Sequence, residues 1–155
     1  MNSATPGPNR TEQIDRVSSQ LLSHVALLTR LLARRLRGEL SRTEAGLLNT
    51  VSAGPRRITE LAEFEGLAQP TTTLLVKRLE ERGLVRRRRP VDDGRVVLVE
   101  LTPAGRGALD DFRAQAAAIL RGHLAEMSDD QIAALDATTE TMAALVSALQ
   151  RTGPT

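Results

Sequence analysis

The stretch Arg82 to Pro103 reads RGLVRRRRPVDDGRVVLVELTP. It joins a glycine stop, a short run ending in four arginines, the turn PVDDG and a second run, VVLVEL. Asp-Gly between two strand-like runs is a strong local hairpin signal, because both residues tolerate positive φ. The spacing predicts strands over 84–89 and 96–101. Thr102-Pro103 then opens a helix, with threonine as cap and proline at the first helical position.

Upstream, GLAQPTTTLLVKRLEERG (66–83) reads as a helix beginning near Gln69-Pro70 and stopping at Gly83. A shorter helix, roughly 59–65, precedes it and ends at Gly66. Two short helices across a tight glycine turn make a helix-turn-helix, and the hairpin after it makes a winged helix. Outside this unit lie aliphatic stripes at helical spacing. Residues 11–37 carry Ile14, Val17, Leu21, Val25, Leu28, Leu32 and Leu36 three or four apart. Ser41 with Glu44 forms a capping-box pattern for a helix ending at Gly54-Pro55. A long helix follows Thr102, and a second capping-box pattern, Ser128 to Gln131, launches the last one.

The predicted fold is mainly α with a small β-hairpin: a winged helix-turn-helix core flanked by long dimerisation helices. Residues 1–10 are expected to be a flexible tail, 11–37 and 102–150 a helical dimerisation region, and 38–101 the DNA-binding domain. Stripes of this kind must be buried. A second copy of the chain is the simplest cover, giving a symmetric homodimer.

Composition narrows the function. The 155 residues are 41% hydrophobic but only 1% aromatic, so the core is aliphatic. The absence of cysteine excludes disulfides, thiolate metal sites and cysteine redox sensing. The first ten residues, MNSATPGPNR, lack the apolar centre of a signal peptide, and no run reads as a membrane span. The expectation is a cytoplasmic protein with no membrane partner. His24 and His123 stand alone, without a nucleophile, a carboxylate pair or a phosphate-binding loop, so neither catalysis, cofactor nor metal is expected. The net charge of +2 is uneven: residues 54–106 carry 11 basic and 8 acidic groups, residues 107–155 carry 3 and 7.

The basic centre coincides with the winged helix. Its second helix suits the major groove, and its hairpin suits a neighbouring groove or the backbone. Gln69, Thr71, Thr72 and Thr73 cluster at that helix's start. Gln pairs with adenine, and Thr bonds bases or phosphates and touches thymine methyls. Lys77 and Arg78 follow one turn on, while Leu75, Val76 and Leu79 face inward. Three adjacent threonines are poor helix formers, which favours a site role. Strand alternation turns Arg86 and Arg88 one way and Arg87 and Arg89 the other. One pair is expected on DNA, the other in solvent or paired with acids such as Asp92 or Glu100. Arg86 and Arg88 stand as the candidates for DNA.

The segment ITELAEFEGLAQPTTTLLVKRLEERGLVRRRRPVDDGRVVLVELTPAG resembles the MarR family of bacterial transcription regulators. The resemblance rests on ELA in the first helix, RLEERGLV at the end of the second, DGR at the wing and VELTPAG beyond it. It implies an obligate homodimer whose winged helices face successive major grooves of a pseudo-palindromic duplex. It also implies a repressor, often released by phenolic or drug-like small molecules bound between the dimerisation and DNA-binding parts. Carried over, Arg95 is the wing-tip arginine for a minor groove, Asp93 orients it, Gly94 frees the turn, and Arg86 is the basic position after GLV. Leu74 and Lys77 depart from the family pattern, where a basic and an acidic residue are frequent. Ala68 departs too, since a capping side chain is usual there. The alternative is a winged helix that binds protein rather than DNA, which would call for acidic or apolar residues on the exposed helix face.

Overall fold

The computed structural model describes residues 9–36, 38–89 and 96–152. The chain falls into two compact units, one up to residue 37 and one from residue 38 onward.

The first unit is one helix, α1 (Arg10–Arg35). Asn9 caps it: its Oδ1 accepts from the Thr11 N–H at 3.1 Å, and its own N–H donates to Glu12 at 3.2 Å. Asn9 and Arg10, which the sequence reading put in the tail, are thus the cap and first residue of this helix. No α1 residue is buried. Much of its aliphatic stripe stands in solvent, with Ile14 53% and Val17 51% exposed, while Leu21 and Leu32 are half-buried.

The second unit runs α2 (Arg42–Ser52), β1 (Arg56–Arg57), α3 (Ile58–Glu65), α4 (Gln69–Glu81), β2 (Val85–Arg88), β3 (Leu98–Leu101), α5 (Pro103–Leu124) and α6 (Asp129–Thr152). The Ser41–Glu44 capping box forms in both directions, at 2.7 and 3.2 Å. Ser128 and Gln131 repeat it before α6, at 3.0 and 3.4 Å. Gly66 takes the left-handed conformation at φ 62, where glycine alone carries no Cβ penalty, and this turns the chain between α3 and α4.

The sheet is antiparallel in the order β1-β3-β2, with Val85 opposite Leu101 and Arg87 opposite Val99. The third strand escaped the sequence reading. β1 is only Arg56-Arg57, paired with Val99 and Leu98. Two charged residues carry no strand pattern; their pairing partner imposes the geometry.

Leu47, Leu48 and Val51 of α2, Leu61 of α3, Val76 and Leu79 of α4, Val85, Val99 and Leu109 form one aliphatic core. α5 is part of it: Leu109 is buried there and Phe112 packs against it. Thr102 fixes the joint between wing and α5. Its hydroxyl donates to the Gly83 carbonyl at 2.7 Å and accepts from the Gly105 N–H at 3.0 Å. A Cβ on Gly105 would sit 1.9 Å from the Leu84 carbonyl oxygen, so only glycine permits this approach. The sequence motif LTPAG is therefore a cap, a helix start and a contact point in succession.

α6 keeps Ile132, Leu135, Leu145, Val146 and Leu149 exposed. By length and composition alone Asp129–Arg151 reaches what a membrane crossing needs, which the sequence reading missed. Asp136 and Glu140 stand near its middle, where charges are costly in hydrocarbon.

Candidate nucleic-acid interface

α4 divides its residues by rotation. Thr72, Val76 and Leu79 are buried, and Leu75 is half-buried. Gln69, Thr71, Thr73, Leu74, Lys77 and Arg78 are exposed. Thr72 is thus a correction to the expected polar cluster: its side chain is fully buried, and its hydroxyl turns back to the Ala68 carbonyl at 3.3 Å. It serves the core rather than the surface. Helical rotation at this point of the chain turns residue 72 inward with 76 and 79, which a run of three threonines does not reveal. The Thr73 hydroxyl also returns to its own helix, at 2.8 Å from the Gln69 carbonyl, but its side chain stays exposed.

Ala68 occupies the N-cap of α4 and offers no side-chain bond. The Thr72 and Thr73 hydroxyls bond carbonyls and leave the first N–H groups of the helix open. Those donors and the positive end of the helix dipole therefore face outward beside Gln69.

At the wing, the alternation predicted for the arginines holds, and the acidic partners sort them. Arg86 Nε donates to Glu100 at 2.9 Å and Arg88 donates to its other oxygen at 3.0 Å. Glu100 is 8% exposed, so one nearly buried carboxylate holds two guanidinium groups on one sheet face. The Arg88 and Arg86 hydrogen bonds hold its pKa below the ordinary 4.5, against a smaller opposing effect of burial. Arg87 lies on the other face and pairs with Glu80 of α4 at 3.4 Å, while its backbone N–H donates to the same carboxylate at 3.1 Å. Arg89 forms no ion pair with another described residue.

The Arg87–Arg89 face borders α4. Ile58, Thr73, Arg87, Arg89 and Val97 line a hollow of about 360 Å³ between α3, α4 and the wing. Arg57, Thr59, Gln69 and Val96 join Ile58 and Val97 around an adjoining hollow of about 380 Å³. Gln69 and Thr73 thus line a basic seam with Arg57, Arg87 and Arg89. Arg57 carried no signal in the sequence, whereas Arg87 and Arg89 were expected on the face opposite Arg86 and Arg88. Asp93, Gly94 and Arg95, with the possible partner Asp92, lie outside the described residues.

Arg82, also unremarked in the sequence, anchors the unit. Its guanidinium reaches Glu44 at 2.9 Å and the Glu39 carbonyl at 2.9 Å, tying the end of α4 to the start of α2. α5 is tied to α2 by Arg113 on Asn49 and by Arg106 on the Ser52 carbonyl. A cleft of about 410 Å³ opens between α5 and the segment leading into α2, lined by Leu40, Leu84, Ala108, Phe112, Asp111 and Gln115 among others. Among the described residues, no three His, Asp or Glu side chains gather as a metal site.

The MarR family profile matches residues 40–97, the span from the start of α2 to the wing. A probable transcriptional regulator from Pseudomonas aeruginosa is 30% identical, covering 88% of this chain and 98% of its own, with a TM-score of 0.58. A MarR family protein from Bacillus stearothermophilus superposes with a TM-score of 0.69 at 22% identity, over 90% of this chain and 99% of its own. The F27L mutant of MepR from Staphylococcus aureus, bound to an oligodeoxyribonucleotide, has a TM-score of 0.60 at 16% identity, over 83% and 97%, a likeness of fold. Among curated proteins no match is found. Profile, fold and near-complete coverage agree: the chain belongs to the MarR family of winged-helix transcription regulators.

Proposed function

We propose that the protein is a sequence-specific DNA-binding repressor that grips a pseudo-palindromic operator as a homodimer in the bacterial cytoplasm. The observation that carries this is the pairing of an exposed, uncapped α4 start with a seam of arginines beside it. Gln69, Thr71 and Thr73 supply base-directed groups, and Lys77 and Arg78 supply positive charge one turn on. Arg57, Arg87 and Arg89 are placed for phosphates along the seam, with Arg86 and Arg88 as a basic rim whose charge Glu100 partly balances. The family resemblance assigns Asp93, Gly94 and Arg95 to the wing tip, with Arg95 as the candidate for a minor groove.

The dimer is supported by two helices, α1 and α6, whose aliphatic stripes remain largely in solvent. Apolar area of this extent is seldom left bare on a monomer. Burial against a second copy would place two winged helices about one DNA turn apart. The cleft beside Leu40 and Phe112 is of a size that suits a small, partly apolar effector, and a phenolic or drug-like ligand there would sit between α5 and the segment leading into α2.

Selection from a random duplex pool by the full chain, followed by anisotropy titrations across salt, tests the reading. An enriched inverted repeat with half-sites about one turn apart, bound in steep inverse relation to salt, is the expected result. Equal binding of every duplex would overturn the sequence-specific reading, and no binding at all would favour a protein partner. A monomer by light scattering at micromolar concentration would overturn the dimer.

A further inference from the structure

In the first two turns of α4, the residue that points most squarely outward is apolar. The buried stripe of the helix is Thr72, Val76 and Leu79. At about 100° of rotation per residue, Leu74 falls almost diametrically opposite that stripe, next to Lys77. Leu74 is 50% exposed, and it is Leu75, not Leu74, that packs against the core. Thr71 and Arg78 flank it on one side, Thr73 and Lys77 on the other.

A helix seated in the major groove sends the residue opposite its buried stripe deepest toward the base edges. A leucine there can neither donate nor accept a hydrogen bond, so it would strip water from polar base edges without replacing it. One feature of the major groove escapes that penalty: the 5-methyl group of thymine. We propose that Leu74 is a specificity-determining residue that takes a thymine 5-methyl in each half-site. The inference rests on the DNA-binding reading above and adds to it one base preference.

Replacing thymine by uracil deletes that methyl and leaves every hydrogen-bonding group in place. The probe is the duplex selected from the random pool by the full chain, remade with uracil at one thymine at a time. For the wild type, one position in each half-site is expected to lose about four-fold in affinity, and roughly fifteen-fold when both half-sites are altered. Leu74→Ala should bind the thymine duplex more weakly and respond equally to thymine and uracil at that position. Leu74→Arg should move the preference there toward guanine, whose O6 and N7 accept a guanidinium. Leu74 is outside the core, so circular dichroism of both variants should match the wild type. The proposal fails if uracil is neutral at every thymine, or if Leu74→Ala keeps the wild-type uracil penalty. A pool that yields no enriched sequence would instead overturn the sequence-specific reading, and this inference with it.

Discussion

Glu100 of β3 lies opposite Arg86 of β2 and receives its guanidinium at two points, Nε at 2.9 Å and a terminal nitrogen at 2.8 Å. Arg88, two residues on, meets the second carboxylate oxygen. Four consecutive arginines are thereby divided into two faces of different character. On one, two positive charges share a nearly buried carboxylate. On the other, Arg87 leans on Glu80 and Arg89 stands beside Thr73. Repulsion within the run is relieved without lengthening it.

The Glu100 carboxylate is expected to make stability depend on acid. Its pKa in the folded state is lowered, by Arg88 first and then Arg86, so it binds fewer protons folded than unfolded. Its stabilising contribution is therefore complete above about 4.5 and is lost as the pH falls through the lower folded value. Both guanidinium groups are more than half exposed, so solvent screening holds that contribution to about 1 kcal/mol or less. Urea denaturation between pH 7 and 3.5 checks this. Glu100→Gln should be less stable at pH 7, and its deficit should shrink on acidification. A deficit that widened in acid would show the opposite shift.

The two arginine faces are expected to differ on DNA. Arg89→Ala should reduce the salt slope of binding by about one, the signature of one phosphate contact removed. Arg88→Ala should change it less, because Glu100 already balances part of that charge. Anisotropy titrations of the selected duplex at several salt concentrations compare the two. A larger effect for Arg88 would restore the Arg86–Arg88 face as the phosphate-binding one.

The winged helix was legible in the sequence because its signals are local. Glycine stops, the Ser41–Glu44 and Ser128–Gln131 boxes and Thr102-Pro103 each act within a few residues, and the helices they mark formed there, while the two predicted strands are shorter, at 85–88 and 98–101. What the sequence concealed depends on pairing and rotation. β1 exists because Val99 and Leu98 offer it a partner. Thr72 is buried because the helix happens to turn residue 72 toward Val76 and Leu79. Alternation split the arginines into pairs, but it could not say which pair Glu100 would take, since Arg87 is an equal neighbour in sequence. Arg82 gave no signal at all, its partners being some forty residues away at Glu39 and Glu44.

Gly105 is expected to tolerate no side chain. A Cβ there would lie 1.9 Å from the Leu84 carbonyl oxygen and 2.9 Å from Leu101, and backbone cannot yield as a side-chain end can. Either α5 shifts away from the sheet, breaking the Thr102 bonds, or β2 does. Gly105→Ala should cost about 1–3 kcal/mol or more, the usual range for overpacking. Gly107→Ala, two residues on, meets nothing within 4 Å and serves as the control, neutral or slightly stabilising in a helix. Thermal denaturation of the pair checks the assignment; equal melting temperatures would refute it.

Thr72 offers the sharpest separation of core from surface within one short run. Its neighbours Thr71 and Thr73 are exposed, yet its own side chain is fully enclosed and its hydroxyl is satisfied, at long range, by the Ala68 carbonyl. Valine is close in shape to threonine and lacks only the hydroxyl. Thr72→Val should therefore leave affinity for the selected duplex within about two-fold and alter stability by no more than about 1 kcal/mol, the worth of one weak hydrogen bond. Thr71→Val and Thr73→Val remove exposed hydroxyls and should weaken binding while leaving the melting temperature nearly unchanged. Titration and melting of the three variants together decide the matter. If Thr72→Val lost affinity without losing stability, residue 72 would have to turn toward DNA, and the rotation of α4 described above would be wrong.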